Sequence, residues 1–170
     1  MAVSTRIAPC LWFDHQAEEA ANYYVSIFKN AKIVNVLRYP KAGQEIHHQP
    51  EGAVMVVDFE LDGQRISGLN GGPIFKFTEA ISLQVYCDTQ DEIDHYWDKL
   101  GAGGDPKAQQ CGWLKDKYGL SWQIVPRSMP DYMQDHTSPQ AQRAMAAMMT
   151  MKKIDIKAFE TAVAEGSTGS

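Results

Sequence analysis

The pattern Phe13-Asp14, followed by Glu18 and Tyr23, returns 74 residues later as Cys87-Asp88 with Glu92 and Trp97. A turn written Glu60-x-x-Gly63-x-x-Ile66 returns 56 residues later as Asp116-x-x-Gly119-x-x-Trp122. The chain therefore reads as two copies of one βαβββ unit, the second shorter by 18 residues in its loops and strands. This constrains the fold strongly, because an open sheet with an apolar face must bury that face against another layer.

Local signals fill in each copy. Residues 7–13 read as a strand, Asp14 as a helix N-cap, and Ala17, Ala20, Tyr24, Ile27 and Phe28 as one helical face. Strand-like residues 32–39, a polar loop over 40–52 and a β-rich run over 53–61 follow. Asp62-Gly63 is a hairpin turn that returns the chain through 64–70. In the second copy, 80–87 reads as a strand, Asp88 as a cap, and Ile93, Tyr96, Trp97 and Leu100 as a helical face. Residues 111–126 read as a tight hairpin.

Past Pro126 the composition changes. Ser138-Pro139 has the form of an N-cap with proline at N1, and the Ala- and Met-rich run over 140–153 favours helix. Met145, Met148, Met149, Lys152, Ile156 and Phe159 recur at near-helical spacing, with Asp155 placed to cap a last helix. The Met-rich stripe is expected to fill a core or a dimer seam. The expected class is α+β: a first βαβββ module at 6–72, a second at 79–126, a C-terminal helical extension at 127–165 and a disordered tail at 166–170.

Composition narrows the functional classes. The 170 residues and 44% hydrophobic content suit one domain, or two half-domains with a common core. Sixteen Lys and Arg against 21 Asp and Glu give a net charge of -5, which disfavours nucleic acid and anionic lipid. No apolar run approaches the ~20 residues of a membrane helix, and the first residues lack the apolar core of a secretion signal, so the cytoplasm is expected. Cys10, Cys87 and Cys111 have neither metal-site nor disulfide-framework spacing and read as reduced, buried thiols.

Three stretches carry a resemblance: Leu11-Trp12-Phe13-Asp14 with Ala17-Glu18-Glu19-Ala20 and Tyr23-Tyr24; Leu69-Asn70-Gly71-Gly72-Pro73 with Phe75-Lys76-Phe77; and Cys111-Gly112-Trp113-Leu114 with Trp122-Gln123-Ile124-Val125-Pro126. Together they resemble the PhnB-like family of the vicinal oxygen chelate, or glyoxalase/bleomycin resistance, superfamily, over residues 6–156. The resemblance implies a homodimer and a cup-shaped pocket. In metal-dependent members it implies His and Glu ligands on the first and last strand of each repeat.

Carried onto this chain, those ligand positions hold Ala8, Pro9 and Cys10, Ser67 near Asn70, Ser82, Leu83 and Gln84, and Gln123. None is His or a carboxylate, so no metal and no other cofactor is expected. The competing possibility is a metal site assembled from elsewhere, such as His47-His48, although this pair reads as part of a solvated polar loop; His15 and His95 read as solvent-facing, and His136 lies beside Asp135 in a connecting loop. The expected ligand contacts are Asn70, Gln84 and Gln123, with Trp12, Phe75, Trp113 and Trp122 as apolar walls. The same amides could instead bond neighbouring backbone, with the aromatics as ordinary core.

The reading is thus a PhnB-like protein that binds a small organic molecule without a transition metal. The alternative is a metal-dependent lyase, isomerase or dioxygenase. A sequestration role like that of bleomycin-resistance members also fits, and no residue is assigned as catalytic. This subgroup often bears the label 3-demethylubiquinone-9 3-methyltransferase. The chain lacks the glycine-rich strand-to-helix turn such an activity usually needs, since Pro73 and Phe75-Lys76-Phe77 follow Gly71-Gly72.

Overall fold

A computed structural model describes residues 6–165, so the expected tail at 166–170 lies outside the described residues. The described residues form two compact units, divided between Phe77 and Thr78.

In the first unit, β1 (Cys10–Phe13) leads into α1 (Ala17–Ile27), then β2 (Ala31–Arg38), β3 (Val54–Leu61) and β4 (Gln64–Asn70). The sheet order is β1-β4-β3-β2, with β1 parallel to β4 and the other pairs antiparallel. Asp62 (φ 48°) and Gly63 (φ 81°) both take positive φ, as a two-residue type I′ hairpin turn requires. The α1 face of Ala17, Ala20, Ala21, Tyr24 and Ile27 is buried, together with Val57, Phe59 and Leu61 of β3. The expected polar loop holds a one-turn helix, α2 (Gln44–His47), and the His47 ring stacks on Tyr39 with centroids 4.5 Å apart.

Asp14 does not cap α1. Gln16 occupies the N-cap position without a side-chain bond, and the Ala17 N–H donates instead to Asn70 Oδ1 at 2.8 Å, from the end of β4. The sheet therefore supplies the cap that the helix's own sequence lacks.

The second unit contains β5 (Ser82–Cys87), α3 (Gln90–Gly101), β6 (Trp113–Lys115) and β7 (Ser121–Pro126), in sheet order β5-β7-β6. β5 runs parallel to β7, as β1 does to β4. The α+β class stands, but this module is βαββ: the strand equivalent to β2 is missing, and a 3₁₀ turn at Pro106–Ala108 takes its place. Composition explains the loss. Gly103 has φ 76°, Pro106 lacks a donor, and Gly104 lies so close to β6 that a Cβ there would sit 1.9 Å from the Lys115 carbonyl.

Thr89, not Asp88, caps α3, accepting from the Glu92 N–H at 3.2 Å while Glu92 Oε2 accepts from the Asp88 N–H at 2.7 Å. Asp88 pairs with Arg127 at 2.8 Å. The helical extension, α4 (Met129–Met133), α5 (Pro139–Met149) and α6 (Ile156–Ala164), belongs to this unit. It docks through Gln90, which donates to the Ile154 carbonyl and accepts from the Ile156 N–H, and through Lys153 on Asp94 at 2.8 Å. Ser138 and Asp155 cap α5 and α6 as expected. The methionine stripe does not form the core of this extension: Ala141, Ala144, Ile154 and Phe159 are buried, whereas Met145 and Met149 are exposed.

Candidate functional site

Each sheet packs one face on its own helix, the opposite or open face carries no helix of its own, and strand alternation assigns side chains to the two. In the first sheet, Leu11, Phe13, Ile66, Val57 and Phe59 go to the helix side and are buried. The open side carries rows set by the pairing register: Trp12, Leu69, Val56 and Leu37 in one, Cys10, Ser67, Asp58 and Asn35 in the next. A third row holds Arg65, Glu60 and Lys32.

This first open face is ionic. Arg65 binds Asp58 at 2.9 Å with both side chains largely covered (12% and 15% exposed), Ser67 Oγ donates to Asp58 Oδ1 at 2.5 Å, and Lys32 meets Glu60 at 3.2 Å. Partial burial, and after it the Asp58 carboxylate, hold the Cys10 thiol above its ordinary pKa, so it is a poor nucleophile.

Trp12 lies at the end of this face. Its indole N–H donates to the Gly72 carbonyl at 2.8 Å and its ring meets Phe75 edge-on at 4.9 Å. Gly71 is required here, since a Cβ would sit 2.1 Å from the Trp12 ring. Asn70 faces the helix side instead. Its Oδ1 caps α1, its Nδ2 donates to the Val54 carbonyl at 3.1 Å, and its own carbonyl accepts from the Tyr39 hydroxyl at 2.6 Å. Its amide is committed to the fold.

In the second sheet, Leu83, Cys87, Leu114, Trp122 and Ile124 lie on the helix side, so Trp122 is core and no wall of the open face. The Trp122 indole donates to Asp116 Oδ2 at 2.8 Å; Asp116 Oδ1 accepts the Tyr118 and Leu120 N–H groups, and this buried carboxylate organises the hairpin turn.

The open side aligns Gln84, Gln123 and Trp113 in one row across β5, β7 and β6. The polar groups are chained: Tyr86 OH donates to Gln84 Oε1 at 3.0 Å, Gln84 Nε2 to Gln123 Oε1 at 3.4 Å, and Gln123 Nε2 to Ser82 Oγ at 2.8 Å. Thus three of the seven expected contacts share one row, Trp12 and Phe75 pair in the first unit, Asn70 is structural and Trp122 is core. Tyr86, Ser121 and Lys115 were not singled out from the sequence, and Ser82 only as a position without a metal ligand. Their signal was parity, since each lies an even number of residues from Gln84, Gln123 or Trp113 on its own strand.

The positions that would hold a metal carry an exposed thiol, Cys10, with hydroxyls and neutral amides; of the three thiols expected to be buried only Cys87 is. Among the described residues, no three His, Cys, Asp or Glu side chains converge on a point where a metal could sit. That donor set does not fit a divalent transition metal, which takes imidazole or carboxylate. At the carboxyl ends of β5 and β7 a cavity of about 290 Å³ is lined by Asp88, Arg127, Asp131 and Glu160, but its arginine is already paired with Asp88. Burial, then the Glu92 and Asp88 carboxylates, push the Cys87 thiol at its edge up to about 12. Among the described residues no helix is long and apolar enough to cross a membrane.

Comparison with known proteins agrees with the architecture. Residues 5–125 match the family model 3-demethylubiquinone-9 3-methyltransferase. A solved structure from Bacillus cereus that carries that name and the name PhnB protein is 37% identical, with 72% of this chain and 99% of that chain covered and a TM-score of 0.61. Protein PA1353 from Pseudomonas aeruginosa is 17% identical (72% and 98% covered, TM-score 0.56). The fosfomycin resistance protein FosX from Listeria monocytogenes, solved with Mn(II) and sulfate, is 13% identical (79% and 99% covered, TM-score 0.52). These last two show a common fold. No curated protein matches the chain. By the family match, which covers most of the chain, and by its likeness to the PhnB protein, the chain belongs to the PhnB-like 3-demethylubiquinone-9 3-methyltransferase family.

Proposed function

We propose that this protein binds a small organic molecule, without a transition metal, on the open face of its second sheet. The observation that carries the reading is the in-register row Gln84, Gln123 and Trp113. Its two amides share one long link of 3.4 Å and otherwise bond the hydroxyls of Tyr86 and Ser82 on the same face. Each glutamine therefore keeps donor and acceptor capacity for a ligand, while Trp113 offers an apolar surface. The metal-dependent alternative needs charged or imidazole donors that these positions lack. Methyl transfer is also poorly supported: Gly71-Gly72 holds Trp12 in place, and no helix opens after it.

Thermal-shift screening of small metabolites against chelator-treated protein tests the reading. Hits are expected with wild type and are expected to be lost in Gln84→Leu and Gln123→Leu. Stoichiometric Mn, Fe, Ni or Zn in protein purified without chelators, or a hit indifferent to both substitutions, would contradict it.

We also propose a homodimer in a reducing compartment such as the cytoplasm. Exposed Leu37, Ile46, Ile74, Phe75, Met145 and Met149 offer apolar surface for self-association, and all three cysteines are free. Light scattering at micromolar concentration is expected to give the dimer mass.

A further inference from the structure

Among the described residues, Ser121 holds the one buried side-chain oxygen without a hydrogen-bond partner. The residue is 1% exposed and shares a strand face with Gln123, two positions on. Buried hydroxyls are normally paired, so an orphan on a candidate binding face points to a partner from outside the chain.

The register sets Ser121 between Ser82 of β5 and Lys115 of β6. Ser82 Oγ accepts from Gln123 and keeps its own proton to donate. Lys115 Nζ meets Glu79 Oε1 at 2.5 Å. Glu79 lies just ahead of β5, so this ion pair joins the two outer strands across the β7 position that Ser121 holds. The Glu79 side chain is 64% exposed and that of Lys115 26%, so the carboxylate can leave toward water while the ammonium stays at the sheet. The hydrogen bond from Lys115 holds the Glu79 carboxyl below the usual range, which keeps it charged.

We propose that Lys115, Ser121 and Ser82 form a carboxylate subsite at one end of the ligand face, and that Glu79 occupies its ammonium until a ligand carboxylate displaces it. The ligand class is a small aromatic monocarboxylate, its ring directed along the face toward Gln123 and Trp113. This rests on the proposed role of the same face. The exchange leaves charge balanced, one carboxylate for another, and adds charge-assisted hydrogen bonds from two hydroxyls that Glu79 does not use. Neutral ligands need no such displacement.

The test is an ¹⁵N NMR titration of the full chain with sodium benzoate and with benzamide, read at the Trp113 indole and the Gln123 amide. Glu79→Gln is expected to tighten benzoate at least tenfold, and adding Ser121→Ala or Lys115→Met to weaken it again at least fivefold. Benzamide is expected to stay within twofold throughout. Equal benzoate affinity in wild type and Glu79→Gln, with benzamide still shifting Trp113 and Gln123, overturns the carboxylate subsite and leaves the ligand face standing. No shift of those groups by either probe in any variant overturns both. Ser121→Ala without ligand is expected to leave the unfolding midpoint unchanged or raise it; a fall would show that the hydroxyl serves the fold and overturn its place in the subsite.

Discussion

The two sheets share a plan, with the first strand parallel to the last and a helix on one face, yet their open faces differ in kind. The first carries Arg65 on Asp58 and Lys32 on Glu60, each charge answered by its opposite. The second carries a chain of neutral donors and acceptors from Tyr86 through Gln84 and Gln123 to Ser82. An ion pair with both side chains largely covered, such as Arg65 with Asp58, is costly to redirect, whereas amides exchange partners cheaply and the exposed Glu79 can leave Lys115 on the second face. The plan therefore fixes the backbone and the helix side of each unit, while the open side is where the modules diverge and where the proposed binding would lie.

The hairpins show the same divergence, and the largest expected effect breaks it. Glu60 and Asp116 hold matching places in the repeat, but Glu60 is an open-face residue in a partly exposed ion pair, while Asp116 is a buried turn carboxylate accepting the Tyr118, Leu120 and Trp122 N–H groups. Asp116→Ala is expected to cost about 3 kcal/mol or more by urea denaturation, because it strands buried donors bonded to a charge. Glu60→Ala is expected to cost less than about 1 kcal/mol. Equal costs would mean the two turns are built alike.

The helix caps sharpen the contrast at intermediate scale. Asn70→Ala leaves the Ala17 N–H and the Val54 carbonyl without their partner and is expected to cost about 2 kcal/mol. Thr89→Ala removes an exposed local cap and is expected to cost about 1 kcal/mol. Denaturation of both variants checks the ranking.

The thiols supply a pH test. Cys87 titrates near 12 when folded, against an ordinary value of 9, so between those values the unfolded chain releases a proton that the folded chain retains. Its contribution to stability is present below pH 9 and lost as pH rises toward 12. The stability difference between wild type and Cys87→Val is expected to shift against wild type over that window, and a flat difference would remove burial as the cause.

Much of the fold was legible because it depends on local signals. Asp62-Gly63 specified its turn, and the helix faces of Tyr24 and Trp97 followed from spacing. What escaped depends on distant contacts. Asn70 looks like a ligand group in sequence and proves to be a helix cap only because β1 and β4 pair in register, which brings the end of β4 to the start of α1. The missing strand was visible as an 18-residue shortening, but its glycines and Pro106 had to be recognised as unable to replace β2. Gln84, Gln123 and Trp113 were individually legible; their alignment in one row was set by strand register, which hydrophobic pattern alone does not fix in so short a β6.

The central claim, metal-free binding on the second open face, is tested most directly by a fragment screen on chelator-treated, ¹⁵N-labelled protein. Binding is expected without added metal, with shifts concentrated at the side-chain amides of Gln84 and Gln123 and the indole of Trp113. Binding that appears only on adding Mn, Fe, Ni or Zn, or shifts confined to Trp12 and Arg65 of the first sheet, would contradict it.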